Sequence, residues 1–326
     1  MRAVHAGQGE PVAQKPKILV QGKFPDAFIA ALAARFDVVP FDPHAPPTEA
    51  RGWDRDIRAL VSWARYAVTP EMMDRLPNLE ILAGFGVGYD RFDLRAAKKR
   101  GIVVTNTPDV LTDDVADLAI GLTIATLRRI AALDRFVRLG RWAAGETPAL
   151  ARKVSGKRLG IVGLGRIGRA IARRAEGFAM TIAYTGPRAY KDAPYRYVAD
   201  LVQLARESDV LVVACRADPS SRHMIDADVL KALGPKGILV NIARGSLVDE
   251  TALVAALKGG TLGGAGLDVY ADEPRVSPDL FQLDSVVLMP HVGSATEETR
   301  QAMADLVIAN LESHFAGRGP LTPVLS

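Results

Sequence analysis

The chain of 326 residues is 48% hydrophobic and 24% charged, long enough to bury one large core or two domain-sized ones. Lysine plus arginine number 41 against 37 aspartate plus glutamate, a basic excess neither gathered into a run nor interleaved with aromatic residues, which argues against a nucleic-acid partner. No segment has the roughly 20 uninterrupted apolar residues of a membrane span, and the single Cys215 cannot form an internal disulfide, which predicts a reducing, cytoplasmic setting.

Residues 1–16 lack an apolar signal region and read as a disordered leader. Strands are then expected at 17–20, 37–41, 57–62, 79–85 and 102–105, with helices at 26–36 and 93–100, forming a small α/β domain. A long helical segment over 112–139 leads through a turn containing Trp142 into a strand at 158–162. From there the units repeat with short connections: helix 167–177, strand 180–184, helix 199–207, strand 210–214 and helix 226–233. Strand 238–241, helix 250–258, strand 264–267, strand 286–289 and a last helix over 296–315 complete the chain. This alternation predicts the α/β class, built on doubly wound parallel sheets. The order implies that a nucleotide-binding domain (108–294) is inserted into a substrate domain (17–107 plus 295–326).

The strand ending at Val162 runs directly into Gly163-Leu164-Gly165-Arg166-Ile167-Gly168 and then a helix. In that context the glycines suit a dinucleotide: Gly163 for a tight turn, Gly165 for close approach of the pyrophosphate, and Gly168 for helix–strand packing. At the end of the next strand stands Thr185, where a carboxylate would bind the ribose 2′-hydroxyl of NAD. Without that acid a 2′-phosphate is not repelled, and Arg188 can pair with it, so NADPH is preferred, with NADH possible. The alternative for Arg188 is a solvated loop cation.

Three further strand ends carry reactive side chains: Arg244 in Asn241-Ile242-Ala243-Arg244-Gly245, Asp268 and Glu273 in 266–274, and His291 in Pro290-His291-Val292-Gly293. A guanidinium suits the carboxylate of a 2-oxo acid and the charge that develops on its carbonyl oxygen. An imidazole suits the proton that completes reduction, and a carboxylate beside it favours its protonated form and fixes its orientation. Taken singly, Arg244 could cap a strand, and Glu273 and Asp268 could be turn acids. Together, behind a dinucleotide loop, they point to hydride transfer onto a small anionic carbonyl compound.

These motifs resemble those of the D-isomer-specific 2-hydroxyacid dehydrogenases, most closely the glyoxylate/hydroxypyruvate reductases, over roughly residues 15–320. The stretch 107–117, Thr-Pro-Asp-Val-Leu-Thr-Asp-Asp-Val-Ala-Asp, resembles the reductase branch. The resemblance implies a Rossmann-type nucleotide domain inserted into a smaller flavodoxin-like α/β substrate domain. It makes Arg244, Glu273 and His291 the catalytic set, with Arg244 and His291 also touching substrate, and sets Asp268 toward the nicotinamide amide with Ile242 and Gly293 as further cofactor contacts. The substrate carboxylate is expected against Val87 and Gly88, where a plain strand-to-helix turn is the alternative. Trp63 stands where similar phosphoglycerate dehydrogenases carry arginine, and Trp142 resembles a tryptophan lent to a neighbouring subunit's site, implying a homodimer; either could instead be ordinary packing. The implied activity is NADPH-dependent reduction of hydroxypyruvate to D-glycerate and of glyoxylate to glycolate, with no metal. A 2-ketogluconate reductase, a broad D-2-hydroxyacid dehydrogenase and a dinucleotide-sensing corepressor remain open.

Overall fold

Runs such as Val210–Val213 and Ile238–Asn241, apolar except for the final Asn241, are buried along their whole length, as parallel strands covered by helices on both faces must be. The computed structural model describes residues 14–41 and 55–324; the expected leader, up to residue 13, and His5 and His44 lie outside the described residues. The chain divides into two compact units, one made of residues up to Pro108 and from Gln301 onward, the other of Asp109–Arg300.

The first unit contains β1 (Lys17–Gln21), α1 (Asp26–Ala33), β2 (Asp37–Phe41), β3 (Ile57–Trp63), α2 (Pro70–Asp74), β4 (Ile81–Phe85), α3 (Leu94–Lys99) and β5 (Val103–Thr105). Its sheet has the order β2-β1-β3-β4-β5, every neighbouring pair parallel, which is the flavodoxin-like order. One of its cores gathers Leu19, Leu60, Met73 and Leu82 beneath Phe92. The short α2 escaped the sequence pattern, although Pro70 at its start and the Thr69 hydroxyl accepting from the Met72 N–H mark a capped helix.

The second unit contains α4 (Thr112–Leu127), α5 (Ile130–Arg138), β6 (Arg158–Val162), α6 (Arg166–Glu176), β7 (Thr181–Thr185), β8 (Arg196–Tyr197), α7 (Leu201–Arg206), β9 (Val210–Val213), α8 (Ala227–Leu233), β10 (Ile238–Asn241), α9 (Glu250–Lys258), β11 (Ala265–Leu267) and β12 (Val286–Leu288). Its parallel strands have the order β12-β11-β10-β9-β6-β7-β8. The chain therefore winds outward from β6 to β8 and returns to lay β9 against the other side of β6, a Rossmann arrangement whose ligand crevice lies at the carboxyl ends of β6 and β9.

The single helix expected over 112–139 is two helices. Arg129 takes a left-handed φ of 54°, its N–H bonds back to Thr126 and its carbonyl starts the next helix by accepting from Leu133. The two pieces bury different amounts: α4 buries residues on most sides, whereas α5 buries only Phe136, so one straight axis does not serve both. The return to the first unit falls within α10 (Glu297–Phe315) at Gln301 rather than at 295. The first turn stays with the second unit, where the Thr299 hydroxyl donates to the Val110 carbonyl at 3.3 Å.

Candidate active site

The loop after β6 is shaped by two close approaches. Gly163 has a φ of 97° and a Cβ there would lie 2.6 Å from the Cys215 Cα, while one at Gly168 would lie 2.1 Å from the Gly163 carbonyl oxygen. A side chain at Gly168 would push α6 off the turn, and one at Gly163 would push the turn off the loop after β9. Gly165 differs, since a Cβ built on it meets nothing within 4 Å, leaving open space before the helix. Asp200, Asp226 and Asp249 cap α7, α8 and α9 with their carboxylates, but Gly165 caps α6 with no side chain. The N–H groups of the first turn of α6 are thus left for an anionic ligand, and a dinucleotide pyrophosphate fits this cradle. Leu164 is 1% exposed and faces the core, Ile167 is half-buried, and Arg166 pairs with Asp109 at 2.7 Å.

Thr185 ends β7 almost fully buried; its hydroxyl donates to the Ala199 carbonyl and its carbonyl accepts from the Gly163 N–H at 2.9 Å. No carboxylate occupies that strand end. Arg188 is exposed on the following loop, its guanidinium 5.9 Å from the Tyr190 ring, and it makes no ion pair among the described residues. In the neighbouring loop, burial pushes the Cys215 thiol up to about 11, so it is chemically quiet at neutral pH.

Arg244, Asp268, Glu273 and His291 come together beyond β10, β11 and β12. The buried Asn241 holds the first of these loops: its amide donates to the Arg244 carbonyl at 2.9 Å and its side-chain oxygen accepts from the Ala243 N–H at 3.1 Å. Ile242 is buried beside it. Asp268, 1% exposed, accepts from the Val292 N–H at 2.8 Å and from the Gly293 N–H at 2.9 Å. It thereby clamps the loop in which His291 adopts a left-handed φ of 56°, a conformation that costs a non-glycine residue roughly 1–2 kcal/mol and persists only where its surroundings impose it. Glu273 accepts from the Tyr270 N–H at 3.1 Å through one oxygen, and its other oxygen lies 2.6 Å from His291 Nδ1.

The two carboxylates are driven in opposite directions. Burial raises the Asp268 pKa, only partly offset by the Val292 and Gly293 N–H groups and the charge of His291. Burial also acts to raise that of Glu273, but the His291 hydrogen bond and charge, the Tyr270 N–H and the Arg244 guanidinium outweigh it and hold Glu273 below its ordinary value. Divergent environments of this kind separate the roles of neighbouring acids. Glu273 stays charged and fixes the Nδ1–H form of the imidazole, whose Nε2 remains to exchange a proton; the His291 side chain is 37% exposed.

In the first unit, Val87 and Gly88 follow β4 in a turn where the Asn106 amide donates to the Val87 carbonyl at 2.8 Å. Trp63 stacks on Phe24 with ring centroids 5.0 Å apart, packs against Phe85, and donates its indole N–H to the Lys23 carbonyl. In the second unit, Trp142 is 68% exposed in the turn after α5, so its own fold does not bury it. Among the other histidines, His314 bonds Glu80 at 3.3 Å in the first unit, and His223 lies in a loop of the second, its N–H bonded to the Ser246 carbonyl. Asn241 was missed by sequence reasoning; an asparagine ending an otherwise apolar strand, three residues before the arginine, was the available signal. Among the described residues there is no cluster suited to a metal ion and no helix long and apolar enough to cross a membrane.

The sequence profile of the D-isomer specific 2-hydroxyacid dehydrogenase NAD-binding domain matches residues 120–293. A glyoxylate/hydroxypyruvate reductase A of Arabidopsis thaliana is 55% identical over 269 residues, covering 82% of this chain and 86% of its own. A hydroxyphenylpyruvate reductase of Plectranthus scutellarioides is 54% identical over 269 residues, with the same shares. The crystal structure of an NADPH-dependent glyoxylate/hydroxypyruvate reductase from Sinorhizobium meliloti, in complex with NADP and malonate, is 44% identical, covers 95% of this chain and 97% of its own, and superposes with a TM-score of 0.90. With likeness of this extent added to the dinucleotide cradle and the paired imidazole, the chain belongs to the D-isomer-specific 2-hydroxyacid dehydrogenases, enzymes that use a nicotinamide dinucleotide.

Proposed function

We propose that this enzyme reduces small 2-oxo acids with NADPH, converting hydroxypyruvate to D-glycerate and glyoxylate to glycolate. The observation that carries the reading is the 2.6 Å pairing of His291 Nδ1 with Glu273, within the electrostatic reach of Arg244. The bound nicotinamide supplies the hydride. Arg244 holds the substrate carboxylate and stabilises the charge that grows on the carbonyl oxygen, and His291 delivers a proton to that oxygen from Nε2 while Glu273 keeps the ring oriented. Asp268 acts on the same ring through the loop it clamps, and a further contact to the nicotinamide amide belongs to this reading, as do cofactor contacts from Ile242 and Gly293. The preference for NADPH rests on the missing acid at Thr185 and on the exposed Arg188.

The unit containing β1–β5 is read as the substrate domain, with Val87 and Gly88 receiving the substrate carboxylate and Trp63 narrowing the site. Val137, Leu139, Trp142 and Leu150, each at least 53% exposed, favour a homodimer in which Trp142 reaches a second copy. The lone Cys215 fits a cytoplasmic enzyme.

A steady-state panel of hydroxypyruvate, glyoxylate, 2-ketogluconate and hydroxyphenylpyruvate with NADPH and with NADH tests reaction, substrate and cofactor together. The expected result is highest kcat/KM for hydroxypyruvate or glyoxylate with NADPH. Preference for 2-ketogluconate or hydroxyphenylpyruvate overturns the substrate class, and dinucleotide binding without turnover of any of them favours a dinucleotide-sensing corepressor.

A further inference from the structure

The segment 186–190, which carries Arg188, is tied at both ends by phenols. Tyr184, in β7 and 1% exposed, accepts the Tyr190 N–H on its hydroxyl at 2.7 Å. Tyr197, in β8, donates its hydroxyl to the Gly186 carbonyl at 3.0 Å. The rings pack together, Tyr184 lying 5.4 Å from Tyr197 and 6.0 Å from Tyr190 between centroids. A buried tyrosine must find a partner for its hydroxyl, and both phenols spend theirs on the backbone of this one loop. The Tyr190 ring, held by that bond, has the Arg188 guanidinium 5.9 Å and the Arg169 guanidinium 5.0 Å from its centre. Arg169 is also engaged by Asp192 at 3.1 Å, leaving Arg188 as the cation of this pair without a carboxylate partner among the described residues.

An arginine on an untethered loop loses much of its attraction for a phosphate to the cost of ordering its long side chain and the backbone that carries it. Resting on the reading of Arg188 as the partner of the cofactor 2′-phosphate, we propose that Tyr184 and Tyr197 are positioning residues for cofactor selection, holding 186–190 so that Arg188 meets the 2′-phosphate already ordered. Their contribution is therefore confined to 2′-phosphorylated dinucleotides and passes through Arg188. A merely structural role would instead affect both cofactors alike.

Calorimetric titration with NADP⁺ and with NAD⁺ separates these cases without relying on turnover. Tyr184→Phe and Tyr197→Phe should each weaken NADP⁺ binding by about three- to tenfold, the range of one lost net hydrogen bond, while NAD⁺ binding changes by less than about twofold. In an Arg188→Ala background the same substitutions should weaken NADP⁺ no further, because the residues act as one unit. Equal weakening of both dinucleotides, an effect that persists in full without Arg188, or no effect at all would overturn the proposal. If the buried Tyr184→Phe fails to fold, the half-buried Tyr197→Phe still decides. Wild-type enzyme that binds NAD⁺ more tightly, or an Arg188→Ala variant that binds NADP⁺ normally, would sink the NADPH reading as well, whereas loss of NADP⁺ affinity in Arg188→Ala with silent phenol variants would sink this inference alone.

Discussion

Replacing Glu273 by glutamine keeps the shape of the side chain and an oxygen for the Tyr270 N–H, but removes the charge that lies 2.6 Å from His291 Nδ1. A charge-assisted hydrogen bond contributes about 1.5–3 kcal/mol against about 1 kcal/mol for a neutral one. The His291 side chain is 37% and that of Glu273 23% exposed, so solvent screening argues for the lower part of the difference, about 0.5–1 kcal/mol. Reduction needs the imidazole to deliver a proton from Nε2, and the Glu273 carboxylate paired with Nδ1 fixes the ring for that delivery. Without the charge the ring is held less firmly in the orientation that presents Nε2, so kcat/KM should fall by about two- to fivefold. On the acid side, Glu273 is held below its ordinary value, so its share of stability is complete above the ordinary carboxylate range and is lost only as pH falls below it; the acid limb should not reflect Glu273 near neutrality. The assay is kcat/KM for hydroxypyruvate with NADPH from mildly acid to neutral pH, wild type beside Glu273→Gln. Near-normal kcat/KM in the variant would refute the pairing as the device that keeps His291 ready to donate.

His291→Ala should lower kcat by about a hundredfold or more while NADPH still binds, as expected for loss of a positioned general acid; near-normal turnover would remove His291 from the mechanism. Arg244→Lys retains a charge but not the planar fork, and kcat/KM for 2-oxo acids should fall steeply, an unchanged value meaning that the substrate carboxylate is bound elsewhere. Combining Thr185→Asp with Arg188→Ala puts an acid at the ribose edge and removes the phosphate partner, so the NADPH-to-NADH ratio of kcat/KM should drop by at least about tenfold. This comparison is made at fixed ionic strength because exposed charge pairs weaken with salt, and an unchanged ratio would show that the 184–188 segment does not select the cofactor.

What local chemistry and periodicity impose was readable before any folding. The apolar runs that become β6, β9 and β10, the glycines that let α6 start hard against its strand, and the arginine, carboxylates and histidine placed just past strand ends are all one-dimensional features, because strand and helix periods and backbone freedom act over a few residues. Where a short element owes its place to its neighbours, the pattern carried little: β8 is two residues laid along the edge of β7, and Arg129 divides 112–139 because α4 is buried on most sides and α5 is not. The role of Asp268 as a clamp on the Val292 and Gly293 N–H groups, the approach of Glu273 to His291 across 18 residues, and the tethering of 186–190 by Tyr184 and Tyr197 depend on which loops the parallel sheet brings side by side. Sequence by itself determined the kinds of groups available and the strand ends that bear them; only the tertiary structure decided their partners and the direction of each acid's pKa, since hydrogen bonding and burial arise between segments distant along the chain.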